Sequence, residues 1–419
     1  MNENSVLLHK LNVPSQLSIM RIRLLFLILL FPRTPIIAQT PADRIDSLMK
    51  SLYLPADPGA VIAVQQHGQV IFKRGYGLAD LVSRKTLTAD DNFNIGSLTK
   101  QFTAFAVLEL YYKGKFSLTD PIGKFLNLPA TLASIRISEL LSHSSGIPDH
   151  YAFTDTNRIK HATDKDVLAA VQHAGSLYFA SGTHYRYSNT AYCLLGLLIE
   201  KLSSLSYPDF IQEEIFAPLG IRNATVFRMN HSIKQRVTGY DRTKDGKFIK
   251  SDAAESIFFS TEADGGIYIS MNNYLKWCTA VESGEFSGNP SIRRAWQGQT
   301  CIDTLHALWY GCGWFIHESP GFPKTVYHTG SNGGFRSVVF MIPMQDYCIS
   351  IFSNRSDIDL EELVSQINQI LSISGNNFIK SAPLESFIHS WPIFAPCKET
   401  SSYSTSFKKN LNVKDMALN

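Results

Sequence analysis

A chain of 419 residues is long enough for one large domain or two, and 44% hydrophobic against 18% charged residues is the balance of a globular protein with a substantial core, which excludes a disordered chain. The formal net charge of +3 resides in the first 38 residues, where Lys10, Arg21, Arg23 and Arg33 face only Glu3, so the remainder is formally neutral. Nucleic-acid binding requires a basic stripe, and the sequence has neither that nor a Lys/Arg cluster with interleaved aromatics.

Residues 1–19 precede a second methionine, and from Met20 the chain reads MRIRLLFLILLFPRTPIIAQTPA. Arg21 and Arg23, the apolar Leu24 to Phe31 and the small Ala38 have the layout of a secretory signal peptide. Translation is expected to start at Met20 and cleavage to follow Ala38, leaving an exported chain, periplasmic or secreted, that begins at Gln39. The apolar run is too short for a permanent span, so none is expected in the mature chain. With no Cys at the cleavage site, a lipoprotein anchor is not expected.

Gly59 to Leu81 alternates around His67-Gly68 and predicts a hairpin. Helical periodicity follows in SLTKQFTAFAVLELYYKGK, ending at Gly114, in SELLSHSSG from Ser138, and in NTAYCLLGLLIEKLSS and YPDFIQEEIFAPLG between Asn189 and Gly220. Strands return in LWYGCGWFIHE, TVYHT, FRSVVFMIP and YCISIFSN, and IDLEELVSQINQILS closes with an amphipathic helix. The order implies an α+β fold: one antiparallel sheet built from both chain ends, flanked by helices, with a mainly helical subdomain over about 98–255 inserted between them. Residues 39–373 form the expected domain. From Ser374 to residue 419 the composition turns Ser- and Lys-rich and reads as a loosely ordered tail, too short for a further domain of useful size.

The six cysteines, Cys193, Cys278, Cys301, Cys312, Cys348 and Cys397, form no C-x-x-C, so neither a zinc ribbon nor a redox motif is suggested. Three lie in apolar segments and read as buried small side chains. Export permits a disulfide, with Cys301 and Cys312 the candidate pair, and whether they pair is left open by the sequence. No metal and no cofactor is expected.

The stretch NIGSLTK, Asn94 to Lys100, puts a Ser three residues before a Lys, one helical turn apart on one face. A Ser at a helix start is ordinarily an N-cap. The spacing recurs at Ser47 to Lys50 and Ser406 to Lys409, so it decides nothing alone. Two further elements follow in order: Tyr187-Ser188-Asn189, opening an apolar helix, and His328-Thr329-Gly330, on a strand before a Gly-rich turn.

Together, S-x-x-K, Y-x-N and [K/H]-T-G resemble the serine β-lactamase and penicillin-binding-protein superfamily, in its class C β-lactamase and D-Ala-D-Ala carboxypeptidase branch. The branch rests on Tyr187, where class A enzymes have Ser, and on His328, where most β-lactamases have Lys. LLSHSSGIPDH, ADGGIYISMNNYLKW and HTGSNGGFRS resemble the same branch, over roughly residues 40–373.

A Ser hydroxyl is a poor nucleophile until a neighbour takes its proton, and Lys does so only when neutral. Burial and the positive helix end at Ser97 would both depress Lys100. The resemblance implies that Ser97 is the nucleophile, that Lys100 is its base, and that Tyr187 relays the proton to the leaving group. It further implies that Asn189 meets the substrate's acyl-side carbonyl and holds Lys100, and that His328, Thr329, Gly330 and Ser331 form the binding edge. The backbone N–H groups of Ser97 and Ser331 make the implied oxyanion hole, such donors being worth about 3 kcal/mol each. His328 is expected to face substrate as a titratable partner for a carboxylate. His143 is expected to pack rather than react. Arg336 reads equally as a carboxylate partner or a salt-bridge residue, and Asp149 and His150 are placed in a loop that could rim the cleft, with no role assigned.

Competing classes lack their features. The 12 His form no H-E-x-x-H, no Ser sits in G-x-S-x-G, and a penicillin-sensing receptor would need a permanent span. The expected activity is an acyl-Ser hydrolase taking a small-molecule or peptide substrate, either D-amino-acid peptides or small esters. The alternatives are a class C-like β-lactamase and a slow-turnover penicillin-binding protein.

Overall fold

The computed structural model of the protein describes residues 39–150, 161–173, 176–251, 260–283 and 290–373. The expected leader, the C-terminal tail, Cys397 and the Ser406–Lys409 pair lie outside them.

The chain opens with helix α1 (Pro41–Leu52), whose Thr40 and Asp43 form a capping box. Strands β1 (Ala60–Gln66) and β2 (Gln69–Tyr76) follow as the expected hairpin. His67 and Gly68 both take positive φ, 51° and 72°, which a two-residue turn compatible with strand twist requires. The short β3 (Asn92–Asn94) leads into the central helix α2 (Thr99–Tyr112), every residue of which is buried from Thr99 to Leu110. Helix α3 (Ile137–Leu141) is shorter than its periodicity suggests, because His143 turns the chain with φ +56°. Then come α4 (Asp164–Val171), α5 (Asn189–Ser203), β4 (Thr225–Val226), β5 (Ile267–Ser270) and α6 (Met271–Glu282). The last third supplies β6 (Thr300–Asp303), β7 (Leu308–Tyr310), β8 (Phe315–His317), β9 (Thr325–Asn332), β10 (Phe335–Ile342) and β11 (Tyr347–Ser353), and α7 (Leu360–Ile370).

The main sheet has eight strands in the order β6-β7-β8-β9-β10-β11-β1-β2, with antiparallel pairing throughout. Its closing ladder joins the two chain ends, from Ala60 opposite Ser353 to Gln66 opposite Tyr347. Side-chain alternation sorts β1 between two cores. Ala60, Ile62 and Val64 pack with Ile45 and Met49 of α1 and Leu363, Val364 and Ile367 of α7, whereas Val61 and Ala63 join the core of α2, α5 and α6. A strand covered on both faces reads as a continuous apolar run, as AVIAV does. A smaller sheet, β3-β5-β4, flanks the start of α2.

The candidate disulfide does not form. Cys312 is a free buried thiol, so it does not pair with Cys301. The β6-β7 register sets Cys301 opposite Trp309, and Cys312 lies beyond the ladder, its N–H donating to the Ala295 carbonyl at 3.0 Å.

Among the described residues, no helix is long and apolar enough to cross a membrane.

Candidate active site

Ser97 lies in a single 3₁₀ turn, Gly96–Leu98, that opens α2. No side chain caps either this turn or α2, so the Ser97 hydroxyl is not spent on a helix end. The turn sits against the edge of β9 because two glycines permit it. Gly96 takes φ +51°, and a Cβ there would lie 2.7 Å from the Ser331 nitrogen, while one on Gly330 would collide with the Ile95 carbonyl. Ser337 Oγ donates to that same carbonyl at 2.7 Å. Asn94 ties the site's segments together: its Oδ1 accepts from Gly96 N–H (2.8 Å) and Asn332 Nδ2 (3.3 Å), and its Nδ2 donates to the Gly265 carbonyl (3.3 Å).

Lys100 follows one turn later, fully buried. Its Nζ is 3.1 Å from Ser97 Oγ, 2.7 Å from Asn189 Oδ1 and 2.8 Å from the Asp264 carbonyl. Two of these neighbours only accept, whereas the hydroxyl can also give. A neutral amine donates to Asn189 and Asp264 and turns its lone pair to Ser97. Burial lowers the Lys100 pKa to about 8, against the opposing pull of Asp264 and Asp149, so a neutral fraction exists near neutrality.

Tyr187 and Asn189 come from the start of α5. Ser188 is the N-cap, its side chain accepting from Ala191 N–H at 3.3 Å, which leaves Tyr187 just outside the helix and Asn189 in its first turn. Asp149, to which the sequence assigned no role, accepts the Asn189 N–H at 2.9 Å and so fixes the residue that holds Lys100. The His150 backbone N–H donates to Thr190 Oγ1 at 2.7 Å, also against α5. The Tyr187 ring lies 4.8 Å from Lys100 Nζ, and its hydroxyl interacts with the Ser97 side chain. Burial raises the Tyr187 pKa well above its usual value, more than the nearby Ser97 hydroxyl lowers it. Tyr187 is therefore a neutral phenol that holds its proton.

His328 departs from expectation. Its ring is fully buried, with Nδ1 donating to the Thr329 carbonyl at 2.7 Å and Nε2 accepting from Tyr310 Oη at 3.0 Å. Burial first, then the charge of Lys100, lowers its pKa to about 3. A neutral ring with both nitrogens engaged offers a carboxylate no charge, so the titratable handle expected from the sequence is corrected to a positioning element beneath the strand edge. Thr329 Oγ1 is buried and has no hydrogen-bond partner among the described residues. The Ser331 side chain is exposed and accepts from Arg336 Nη1 at 2.6 Å. The other S-x-x-K pair within the described residues is different: Ser47 is an exposed mid-helix residue, and Lys50 pairs with Asp46 at 2.8 Å.

Asp164, Cys193 and Asp264, buried behind Lys100, place donor atoms within 4.8 Å of one another. Asp164 already accepts from Glu262 N–H (2.9 Å) and Ala263 N–H (3.3 Å), and burial holds Cys193 as a thiol. The cluster reads as a pin for the loop that carries the Asp264 carbonyl, a backbone ligand of Lys100 to which the sequence assigned no role.

A buried Lys between a Ser hydroxyl and an Asn, with a neutral Tyr beside the Lys and a sheet edge alongside, defines the site of the β-lactamase and penicillin-binding-protein type of serine hydrolase. The Beta-lactamase family model matches residues 49–367, and the chain belongs to that family. It is similar to Protein flp of Staphylococcus aureus strain MW2, 25% identical over 324 residues that cover 74% of this chain and 62% of that one. It is also similar to Penicillin-binding protein 4* of Bacillus subtilis strain 168, 26% identical over 322 residues, or 73% and 70% of the two chains. The match thus spans less than two thirds of the length of flp. Among solved structures, an octameric penicillin-binding protein homologue from Pyrococcus abyssi superposes with a TM-score of 0.70 at 26% identity, covering 78% of this chain and 77% of that one. A penicillin-binding protein from Bacillus halodurans shares the fold with a TM-score of 0.70 at 21% identity, covering 78% and 98%.

Proposed function

We propose that the protein is an exported serine hydrolase that forms an acyl-enzyme at Ser97 and acts on D-amino-acid peptides or small esters. The observation that carries this reading is the Lys100 amine, buried, depressed to about 8, and 3.1 Å from Ser97 Oγ. As Oγ attacks the acyl carbon, its proton passes to the neutral Nζ, and the oxyanion is held by the Ser97 and Ser331 N–H groups. Collapse breaks the bond to the leaving group, which takes its proton from Tyr187 Oη. Tyr187 is restored by the proton held on Lys100. Water then repeats the cycle on the ester, giving its proton through Tyr187 and releasing acid and free Ser97. Asn189 Nδ2 is free to meet the acyl-side carbonyl while Oδ1 holds Lys100.

The neutral His328 supports a small neutral ester over a substrate held by a carboxylate, whether a β-lactam or a peptide with a free C-terminus, since His328 lacks the fixed charge a Lys would set at this position. The leader pattern at Arg21 to Ala38 supports export, which amino-terminal sequencing of protein recovered outside the cytoplasm would test. For the activity, purified protein is compared on a penicillin, a cephalosporin, a D-Ala-D-Ala peptide and p-nitrophenyl esters. The reading expects sustained turnover of esters or peptide and slower release of penicillin. Faster turnover of the β-lactams would make it a β-lactamase, and a stoichiometric burst without turnover on every substrate would make it a slow acyl-enzyme former.

A further inference from the structure

His143 lies outside the proton path, yet it grips Tyr187 on three sides. Its carbonyl accepts from Arg186 N–H at 2.9 Å, and its ring Nδ1 accepts from Ser188 N–H at 3.2 Å, so the N–H groups of the residues before and after Tyr187 are both tied to this one residue. Its ring also lies against the Tyr187 ring, with centroids 4.2 Å apart and planes 36° apart. Tyr192 and Tyr310 close around it at 5.1 and 4.5 Å, and His143 is fully buried. The backbone there is held at φ +56°, a region uncommon for a residue with a Cβ, in which Asn, Asp and His are enriched. Such strain persists only where the surroundings over-determine it.

We infer that His143 is a positioning residue for the leaving-group step, holding the Tyr187 phenol toward Ser97 by clamping the backbone on both sides of it and stacking on its ring. The inference rests on the reading of Tyr187 as proton donor. A backbone N–H can only donate, so Nδ1 must be unprotonated and the neutral ring must carry its proton on Nε2. Burial first, then the charge of Lys100 when it is protonated, keeps the ring neutral. An imidazolium would lose the Ser188 bond and set a second positive charge beside Lys100.

The test exploits what a proton donor is for. A p-nitrophenolate leaves without a proton, whereas an alkoxide or a peptide amine needs one. His143→Ala, His143→Asn and Tyr187→Phe are prepared in the full chain, and active sites are titrated with a fluorophosphonate so that rates refer to competent Ser97. For Tyr187→Phe and His143→Ala, hydrolysis of an ethyl ester is expected to fall about 10- to 100-fold more than that of the p-nitrophenyl ester of the same acid. His143→Asn, which keeps an acceptor and tolerates positive φ, should show a smaller split. In the double variant with Tyr187→Phe, His143→Ala should add no further split, because the two act as one unit. Equal falls for both esters in the His143 variants, or a split that adds in the double variant, would overturn the inference while leaving Tyr187 in its role. No split in Tyr187→Phe itself would overturn both. Should the variants fail to fold, ¹⁵N-histidine spectra of the unaltered protein decide: a constant Nε2–H tautomer from pH 5.5 to 8.5 is expected, and a protonated Nδ1 would sink the clamp.

Discussion

In the proposed reaction Lys100 and Tyr187 divide the proton work because burial acts on them in opposite senses. Desolvation disfavours the charged form, so it lowers a lysine, whose acid is charged, and raises a tyrosine, whose base is charged. Lys100 falls to about 8 while Tyr187 rises well above 10. The reactive form is neutral Lys100 with protonated Tyr187. Its population grows as pH rises through about 8, so kcat/KM for a neutral ester should climb with one ionisation and level off above it. No falling limb from Tyr187 should appear below about pH 10. A profile that instead rises only near pH 10 would make the tyrosinate the base. Lys100→Met should cost at least about 100-fold in kcat without lowering the melting temperature, since an apolar side chain replaces a buried amine. His328 yields the opposite expectation. Held at about 3, it does not change charge in the working range, so the ratio of kcat/KM for a carboxylate-bearing substrate over a neutral ester should stay flat from pH 5.5 to 8.5. A ratio that falls across this range would show an imidazolium meeting the carboxylate after all.

The elements around the site show what a sequence can and cannot disclose. Ser97, Lys100, Tyr187 and Asn189 were legible because S-x-x-K, Y-x-N and H-T-G follow one another in the order that resembles the superfamily, and the structure brings them together. The Asp264 carbonyl was not, because any residue type supplies a carbonyl. The charge state of His328 was hidden too, since burial is a property of the folded chain. Likewise α3 stops at Leu141 where the periodicity ran on, as the positive φ of His143 leaves no local mark. The hairpin β1-β2 and the strands β9 to β11 followed from alternation and turns, whereas α1, α6 and β6 were not anticipated. The contact between the nucleophile turn and β9 can be probed at Gly96, where a Cβ would meet the Ser331 backbone. Gly96→Ala should cost about 1–3 kcal/mol and reduce kcat by separating the two oxyanion donors. Unchanged stability and rate would show that the turn has room to shift.

Across the whole molecule, the site rests on a sheet built from both ends of the domain. Strand β1 from the amino-terminal side closes on β11 from the carboxy-terminal side, and β9, two places further along the same sheet, lines the site. Ile62 and Ile351 face each other across that seam, both fully buried. Ile62→Ala should destabilise the protein by about 2–5 kcal/mol, read as a lower denaturation midpoint, while the kcat of the folded fraction stays near that of the unaltered protein. A loss of kcat without a loss of stability would mean that the seam shapes the site directly. The proposal that this sheet and the central helix together make Ser97 an acyl acceptor is tested by covalent capture. A fluorescent penicillin or a fluorophosphonate is reacted with the folded protein and the adduct is mapped by peptide mass. The account predicts one adduct, on the peptide carrying Ser97, absent from Ser97→Ala. An adduct on the peptide of Ser47, which has the same spacing to a lysine without the partners, or labelling that persists in Ser97→Ala, would contradict it.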